Sequence, residues 1–528
     1  MVIAAKRSDN VQGFLEQLYT ELRCLHSPLR AMSGAYSRYT RVHDPVLPSP
    51  STSSEQGSRS TISAWTTRRN AKRITILLAI FFLFCTALLR LWPPQLPTPI
   101  ASLVDESLPP LYEQYHQEEL GLPQHNPDLP FPEGREGRYV FIANHVYGLG
   151  WGNAMQQVLL DSFLAYKSGR AYVFDNYTWN RDLDPPPYSE YNGKLIPSRI
   201  PLRALIVGPT AGGPFPPGDP APRAVGVEYY KSVCPQSMVL NADAVYAEIG
   251  GDPTAAQVMD KWVNTFNSIQ DRCIEVSRFS DNQIFNYWIF GDPNRLLDIW
   301  PEYKESPIIK QFRWSPLVHA AFEKNYRLFT TPSSLGSFFS YLRPESDPYQ
   351  PIPGLLALHI RRGDFEEHCH HLAKWSARYS GFNSFPEFLD KFDPPPGSGG
   401  GNANSTAVDT YIKHCFPSID QIVARVEEIR NSPSGKGLKN IYVMTNGPRP
   451  WVAKLKSSLR KSGHWDKIAA SRDLALTPEQ KYIGQAIDML IGQRAQVLIG
   501  NGFSSMTANI VMLRMARKDL SPDTNRFW

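Results

Sequence analysis

Short apolar runs and segments with helical spacing alternate in two separate parts of the chain. In the first part, an apolar run at 138–143 precedes a glycine-rich turn, a helical pattern at 154–167 and a second apolar run at 170–174, which together predict a β-α-β unit. The second part repeats this order, with predicted strands and helices at 355–360, 419–429, 440–445, 450–461, 495–499 and 505–517. The alternation predicts two doubly wound α/β domains that face each other and bind ligands beyond the carboxyl ends of their strands.

A different pattern occupies residues 74–89, which read ITILLAIFFLFCTALL without a charged residue. Sixteen residues are few for a membrane span, but Arg90 and Trp92 suit the interface and extend the segment to 74–92. Basic residues precede the segment and acidic residues follow it, so we predict a single-pass signal anchor with a cytosolic N-terminus. A cleaved signal peptide is disfavoured because the segment starts so far into the chain. A buried core helix is disfavoured because every face is apolar.

This topology predicts the remaining regions of the chain. Residues 1–73 form a Ser/Thr/Arg-rich tail that we expect to be disordered, and residues 93–137 form a proline-rich stem. An acceptor-side Rossmann-like domain follows at 138–345, and a donor-binding Rossmann-like domain at 346–528. The proline-rich stretch 344–353 is the predicted hinge between them.

The distribution of charge restricts the possible partners. The 528 residues carry a formal net charge of +5, but residues 1–73 alone hold eleven Lys/Arg against five Asp/Glu. The remainder, with 44 basic and 45 acidic residues, is almost neutral, which argues against nucleic acid as a partner of the main body. The 46 prolines exclude an all-helical bundle and predict long ordered loops.

Four cysteines fall in the predicted lumenal body, where disulfides can form. They are Cys234, Cys273, Cys369 and Cys415. Three pairings are open, of which the one that joins the first two and the last two keeps each bridge within one half of the chain.

Two N-glycosylation sequons begin at Asn176 and Asn404. Both matter only if the body is lumenal. Asn404 is the better candidate, because it lies in the Pro/Gly/Ser-rich stretch 393–406, which we expect to be an exposed loop.

The sharpest chemical motif is HIRRGDF at 359–365, which begins inside a predicted strand and continues past its end. His359 and Arg361 alternate and therefore point to the same side of the strand, with Arg362 on the opposite side. A guanidinium at the carboxyl end of a strand can hold a diphosphate through two parallel hydrogen bonds. The alternatives are a surface ion pair for the two arginines and a cell-adhesion signal for Arg-Gly-Asp, a string that is common by chance.

Two glycine-rich motifs accompany it. VLIGNGFSSMT at 497–507 predicts a strand, a turn and a helix start, where the Ser504 and Ser505 hydroxyls and backbone N–H groups could bind an anion. Ordinary helix capping is the alternative. The loop GLGWGN at 148–153 lacks the G-x-G-x-x-G spacing of a dinucleotide site, although Asp175, which closes the next predicted strand, keeps that interpretation open.

These three motifs, in this order, resemble the GDP-fucose O-fucosyltransferase superfamily, which includes protein O-fucosyltransferases and α1,2- and α1,6-fucosyltransferases. The resemblance covers roughly residues 138–520 and includes AIDMLIGQRAQVLIGNGFSSMTANIVMLR at 486–514. It implies a GT-B architecture of two facing Rossmann-like domains, inversion at the anomeric carbon, and GDP-fucose as donor. It also implies that neither a metal ion nor another cofactor is required.

The resemblance implies roles for individual residues. Arg361 is similar to the arginine that binds the β-phosphate and assists its departure, and it would be catalytic. His359 resembles the histidine beside the nucleotide, and Asp488 resembles the acid that contacts guanine. The other implied donor-binding residues are two phosphate-binding serines and two residues of the first glycine-rich loop: Ser504, Ser505, Gly152 and Asn153.

The sequence departs from the family pattern at two places. Met506 stands where the family often has an aromatic residue, and residues 148–153 lack the carboxylate that some members carry there. The general base is therefore unassigned.

The cluster EEHCHH at 366–371 could suggest a zinc site. Adjacent side chains do not easily surround one ion, and the sequence offers no second cluster with metal-site spacing. We therefore predict a polar loop without a metal, in which Cys369 forms a disulfide.

These features predict a membrane-anchored fucosyltransferase in the Golgi or the endoplasmic reticulum that transfers L-fucose to an acceptor hydroxyl, foremost of protein Ser/Thr. One alternative is a fucosyltransferase that acts on a glycan. Another is a non-catalytic, membrane-anchored protein of the same fold that binds a GDP-sugar or a glycan. The departures from the pattern favour the non-catalytic alternative, whereas His359, Arg361 and Asp488 oppose it.

Overall fold

A computed structural model describes residues 108–331, 347–363 and 365–528. The predicted tail, the predicted signal anchor and the first part of the predicted stem lie outside the described residues. Within the described residues, no helix is long and apolar enough to cross a membrane.

Two parallel sheets of five strands each organise this part of the chain. The first sheet has the order Val225–Gly226, Ala171–Phe174, Tyr139–Ile142, Cys273–Val276 and Met238–Leu240. The second has the order Lys467–Ala470, Asn440–Thr445, Ile352–Ile360, Ala495–Gly500 and Asn525–Phe527. All neighbouring strands within each sheet are parallel, as expected for continuous apolar runs that helices cover on both faces. The prediction of an α/β chain with parallel sheets is confirmed.

The helices alternate with these strands or connect them. They are Glu113–Leu120, Trp151–Lys167, Leu202–Leu205, Val227–Val233, Ala242–Ile249, Ala255–Ser268, Tyr287–Gly291, Pro293–Leu296, Trp300–Tyr303, Pro307–Lys310, Pro316–Phe329, Phe365–Lys374, Ser405–Cys415, Ile419–Arg430, Arg449–Ser462, Pro478–Tyr482, Gly484–Gln493 and Ser505–Met515. Short antiparallel pairs complete the structure: Tyr177–Thr178 with Arg199–Ile200, Tyr188–Tyr191 with Lys194–Pro197, Ile206–Val207 with Arg313–Trp314, and Ser398–Gly399 with Asn402–Ala403.

The second half of the predicted stem belongs to the folded body, which corrects the prediction for that half. The side-chain amide of Gln124 is buried and donates to the carbonyl oxygens of Gly212 and Ala224. The carboxylate of Glu119 accepts the backbone N–H of Arg203 at 2.9 Å. The prolines of this segment therefore shape turns against the body instead of stiffening a free linker.

The helix Pro316–Phe329 packs on the second sheet although it precedes the predicted boundary at 345. The ring of Phe329 meets that of Tyr442 edge to face at 5.6 Å, and the Asn325 side chain hydrogen-bonds the backbone of Ala475. The boundary itself stays a prediction, because it falls outside the described residues.

Both expected disulfides are present. Cys234 is bonded to Cys273, and Cys369 to Cys415. Each bridge ties a helix to a neighbouring element within one half of the chain, as the favoured pairing predicted.

The predicted polar loop around Cys369 is instead the helix Phe365–Lys374, which corrects that prediction. Phe365, Cys369 and Ala373 follow at intervals of four and form the buried face, while the acidic residues lie on the exposed face. The run of charged residues and histidines hid the helical spacing of these three buried positions in the sequence. Among the described residues, no group of three or more His, Cys, Asp or Glu side chains could hold a metal ion.

The two sequons lie in different surroundings. The exposed Asn404 is the N-cap of the helix Ser405–Cys415, where its side-chain oxygen accepts the N–H of Ala407 at 2.8 Å. The predicted loop thus ends in an ordered cap. Asn176 is half-buried, and Thr178 of its sequon is buried in a strand pair.

The two sheets are joined where the helices Trp151–Lys167 and Ser505–Met515 touch. The side chain of Asn509 donates to the carbonyl oxygen of Gly152 at 2.7 Å. A Cβ at position 152 would lie 2.8 Å from the backbone nitrogen of Met506 and 2.8 Å from Oγ of Ser505. Glycine is therefore required here for the close approach of the two helices.

We expect Gly152→Ala to lower the free energy of unfolding by about 1–3 kcal/mol, because the added methyl group overpacks the contact. Gly484→Ala is the matched control, since it is also at a helix start and a Cβ there meets nothing within 4 Å. The control should be neutral or slightly stabilising, by up to about 1 kcal/mol, as alanine favours a helix. Thermal and denaturant melting of both variants measure the difference. A Gly152→Ala protein as stable as the parent would contradict the required close approach.

Candidate active site

The strand Ile352–Ile360 ends in a turn that is held from the neighbouring strand. The side chain of Asn446 accepts the N–H of Arg362 and donates to its carbonyl oxygen, both at 2.8 Å. Gly363 has a positive φ of 68°, which suits glycine. The backbone around Arg361 is thus fixed at the carboxyl edge of the second sheet.

The two arginines of this turn have different surroundings, as the alternation of side chains predicted. Arg361 is half-buried, with its guanidinium 4.4 Å from the centre of the Phe365 ring. Arg362 is 4% exposed and lies between the rings of Phe416 and Trp451, at 4.1 and 4.3 Å, and it donates to the carbonyl oxygen of Pro417. Arg362 is a buried structural cation, whereas Arg361 stands at the edge where ligands bind.

His359 lies one strand residue before this turn and faces the helix Ser505–Met515. It is 2% exposed, and its Nδ1 lies 2.7 Å from Oγ1 of Thr507. Burial lowers the pKa of His359 to about 3, and the charge of Arg361 acts in the same direction. The imidazole is therefore neutral at physiological pH and connects the strand end to the helix start.

The helix Ser505–Met515 begins at the same edge, after the strand Ala495–Gly500. Ser504 is the N-cap, but within the described chain its side chain makes no capping hydrogen bond. The Asn383 amide donates to the carbonyl oxygens of Gly502 and Ser504, and the Asn501 amide donates to that of Cys415. The loop is thus fixed by buried amides, and the hydroxyl of Ser504 is not used for ordinary capping.

Asp488 is 9% exposed on the helix Gly484–Gln493. Its Oδ1 accepts the hydroxyl of Tyr442 at 2.6 Å, and its Oδ2 accepts that of Ser471 at 2.7 Å. Burial raises the pKa of Asp488 to about 6, although both hydroxyl hydrogen bonds oppose the increase. The structure fixes the orientation of the carboxylate, and each oxygen retains a second lone pair.

The first sheet contributes the loop 148–150 and the first turn of the helix Trp151–Lys167. This helix starts three residues earlier than predicted, so Gly152 and Asn153 are helical instead of part of a loop. Gly152 is buried against Ser505, whereas Asn153 is exposed. The backbone N–H of Trp151 donates to Oε1 of Gln485.

The structure brings most of the predicted residues together. His359 and Arg361 share a strand end, which the Thr507 hydroxyl connects to the helix that starts at Ser505 and touches Gly152. Asp488 lies on a separate network. Sequence reasoning missed the residues that hold this arrangement, because their partners are distant in sequence: Asn446, Thr507, Gln485 and Asn383.

The sequence matches the family model described as GDP-fucose protein O-fucosyltransferase over residues 304–517. The matched segment contains the strand end at Arg361, the helix of Asp488 and the start of the helix Ser505–Met515. The match confirms the predicted resemblance to the GDP-fucose O-fucosyltransferase superfamily and the predicted enzyme class, a GDP-fucose-dependent glycosyltransferase. No curated protein matches the chain.

Solved structures with distant similarity include that of POFUT1 in complex with GDP-fucose. It is 16% identical, covers 74% of this chain and 98% of its own, and has a TM-score of 0.40. The structure of NodZ alpha-1,6-fucosyltransferase soaked with GDP-fucose is 11% identical, covers 71% of this chain and 92% of its own, and has a TM-score of 0.29.

Asp488 should make stability depend on pH. Its pKa in the folded state, about 6, exceeds the ordinary value of about 4, so the folded state binds the proton more tightly. The stabilisation is complete below about pH 4 and is lost as the pH rises through about 6. Asp488→Asn removes this dependence, and its stability relative to the parent should therefore increase by about 2 kcal/mol between pH 4 and pH 7.

Denaturant unfolding of the parent and the variant at a series of pH values measures this difference. Other buried carboxyls, such as Glu119, whose pKa burial raises to about 7, contribute equally to both proteins and cancel. A difference that stays constant from pH 4 to pH 7 would contradict the burial of an ionisable Asp488.

Proposed function

We propose that the protein transfers L-fucose from GDP-fucose to an acceptor hydroxyl in a single displacement with inversion at the anomeric carbon. One observation carries the proposal. The strand-end Arg361 and the N-terminus of the helix Ser505–Met515 meet at one sheet edge, and the hydrogen bond between Nδ1 of His359 and the Thr507 hydroxyl connects them. Such an edge offers a guanidinium, hydroxyls and backbone N–H groups to a diphosphate.

The two parallel sheets support a GT-B arrangement for this reaction. The helix Trp151–Lys167 starts from the carboxyl edge of the first sheet and the helix Ser505–Met515 from that of the second, and their first turns touch. The two ligand-binding edges are therefore neighbours, which is the geometry that a donor in one domain and an acceptor in the other require.

The residues would act mainly on the leaving group. As the bond from fucose C1 to the phosphate oxygen breaks, negative charge develops on GDP. Arg361 and the positive end of the helix are fixed before the reaction, so they stabilise this charge without reorganisation. The neutral His359 adds no charge of its own, and it keeps the helix start close to the strand end.

We propose the following partners for the other parts of GDP-fucose. Asp488 is proposed to accept the N–H groups of guanine, Ser504 and Ser505 to hold phosphate oxygens, and Gly152 and Asn153 to border the fucose. We propose that no metal ion or other cofactor takes part, since Arg361 and the helix N-terminus supply the positive charge that a diphosphate needs.

Protein Ser/Thr is the proposed acceptor class, in keeping with the description of the matched family model. A glycan acceptor is the second outcome of an acceptor screen. A non-catalytic protein would bind GDP-fucose without turnover. The rate of GDP release by the parent, measured in the Arg361 experiment below, distinguishes this alternative.

Arg361→Ala should reduce GDP release from GDP-fucose by about 10²–10³-fold, because a fixed contact to the departing charge is lost. Arg361→Lys should restore part of the rate, since a point charge cannot reproduce the fork of two hydrogen bonds. The measurement compares initial rates per folded protein in excess EDTA, where the parent should remain active.

Arg362→Ala is the matched control on the neighbouring residue. It removes a buried cation between two rings and should lower the melting temperature, while the rate per folded molecule stays close to that of the parent. Equal rates for Arg361→Ala and the parent would remove the diphosphate role. Full loss of rate in Arg362→Ala at equal folded fraction would contradict the assignment of the two arginines.

We also propose a type II orientation in the Golgi or endoplasmic reticulum membrane, which rests on the apolar segment 74–92 and its basic flank. Protease added to intact microsomes should remove residues 1–73 and spare the rest. Glycosidase should shift the mass of the parent but not that of a variant with both Asn404→Gln and Asn176→Gln. Digestion of the C-terminal body in sealed microsomes would contradict this topology.

A further inference from the structure

A histidine–aspartate pair lies at the carboxyl edge of the first sheet and takes no part in the donor site. His145 follows the strand Tyr139–Ile142, and Asp175 directly follows the adjacent strand Ala171–Phe174. Nε2 of His145 lies 3.5 Å from Oδ2 of Asp175, and the two side chains are 11% and 22% exposed. The pair is sheltered from bulk solvent and still reachable. Asp175, which kept the dinucleotide interpretation open, thus has a side-chain partner in His145.

Neighbouring groups fix both members. Oδ1 of Asp175 accepts the N–H of Asn176 at 2.7 Å, which leaves Oδ2 directed to the imidazole. The His145 ring stacks on that of Tyr147 at 4.1 Å, and the Arg278 guanidinium lies 4.3 Å from the centre of the Tyr147 ring. With Nε2–H donated to the carboxylate, Nδ1 carries the lone pair that can accept a proton. Nδ1 lies 3.4 Å from the carbonyl oxygen of Val146, which can only accept a hydrogen bond, so this long contact has to open before Nδ1 can take a proton from an incoming hydroxyl.

The pair is close to the proposed donor site. His145 and Asp175 line a small cavity together with Trp151, the first residue of its helix. The next residue, Gly152, contacts Ser505 at the helix start that would hold the phosphates. Trp151 in the cavity wall and Gly152 on the donor side are therefore consecutive residues of the first helical turn.

We propose that His145 is the general base that takes the proton of the acceptor hydroxyl, and that Asp175 is its positioning residue. This inference rests on the proposed function and assigns the base that the first glycine-rich loop does not supply. The acceptor oxygen forms a bond to C1 of fucose while the bond from C1 to the phosphate oxygen breaks. The electron pair of that bond stays on GDP, and the acceptor proton moves to Nδ1 of His145. Asp175 stabilises the resulting imidazolium.

Charged and titratable groups around the pair favour this assignment. Burial raises the pKa of the Asp175 carboxyl, but the hydrogen bonds from His145 and Asn176 and the charge of Lys231 outweigh it and bring the value below its usual range. Asp175 is therefore ionised when the imidazole accepts a proton. Tyr147, Tyr172 and Glu119 also interact electrostatically with Asp175. Arg278 and Glu275 lie around Tyr147.

The test uses the full-length protein in detergent, with GDP-fucose as donor and with water and a pool of Ser/Thr peptides as acceptors. His145→Gln and His145→Ala should bind GDP within about twofold of the parent and lose about 10²–10⁴-fold in GDP release. Added imidazole should restore part of the rate of His145→Ala. The decline of the parent's rate towards acidic pH should be absent in His145→Gln, and Asp175→Asn should lower the maximal rate with little change in GDP affinity.

His116→Gln is the matched control. His116 pairs with Glu228 at 3.6 Å on the first described helix and does not line the cavity at His145, so its loss should leave the kinetics and their pH dependence unchanged. Parent-like rates and pH profiles in both His145 variants would overturn the inference. So would a loss of GDP affinity and melting temperature in parallel with the rate, which indicates a structural role. If the parent itself binds neither GDP nor GDP-fucose, the proposed function fails, and this inference fails with it.

Discussion

The contact between Gly152 and the helix Ser505–Met515 is the constraint on which the site depends. Each parallel sheet alone offers a ligand-binding edge, but a transfer reaction needs two such edges side by side. Because position 152 lacks a side chain, the first turns of two helices from different sheets can touch, and the Asn509 amide fixes their register. The resemblance implies that Gly152 binds the donor. In the structure, Gly152 packs against Ser505 and Met506 of the facing helix.

The strand-end loops of the second sheet are held by buried polar groups rather than by regular structure. Asn446 fixes the turn at Arg361, and Asn501 and Asn383 fix the loop before Ser505. Arg514 is fully buried, and its guanidinium donates to Oδ1 of Asn525 and to backbone oxygens at the end of the helix Gly484–Gln493. Burial lowers the pKa of Arg514 to about 9, so the cation remains protonated at neutral pH. Such networks rigidify a site because an unpaired buried group would be costly.

Sequence reasoning found the elements whose signal is local and missed those whose signal is not. The strand Asn440–Thr445 has the predicted limits, because a short apolar run of this length predicts a buried strand of a parallel sheet. The helix Phe365–Lys374 was missed, since its apolar positions are few and a run of charged residues and histidines hides their period. The His145–Asp175 pair could not be seen either: thirty residues separate its members, and only the parallel pairing of two strands makes them neighbours. Buried asparagines escaped prediction for the same reason.

The two sheet edges differ in charge in a way that suits a displacement reaction. On the second sheet, the neutral His359 adds no charge beside Arg361 and the helix N-terminus, which are the proposed partners of a departing diphosphate. On the first sheet, the His145–Asp175 pair combines a proton acceptor with a negative charge, which favours a proton leaving a nucleophile. Residues 148–153 carry no carboxylate, and the proposed base His145 instead offers a proton acceptor from the loop after the strand Tyr139–Ile142.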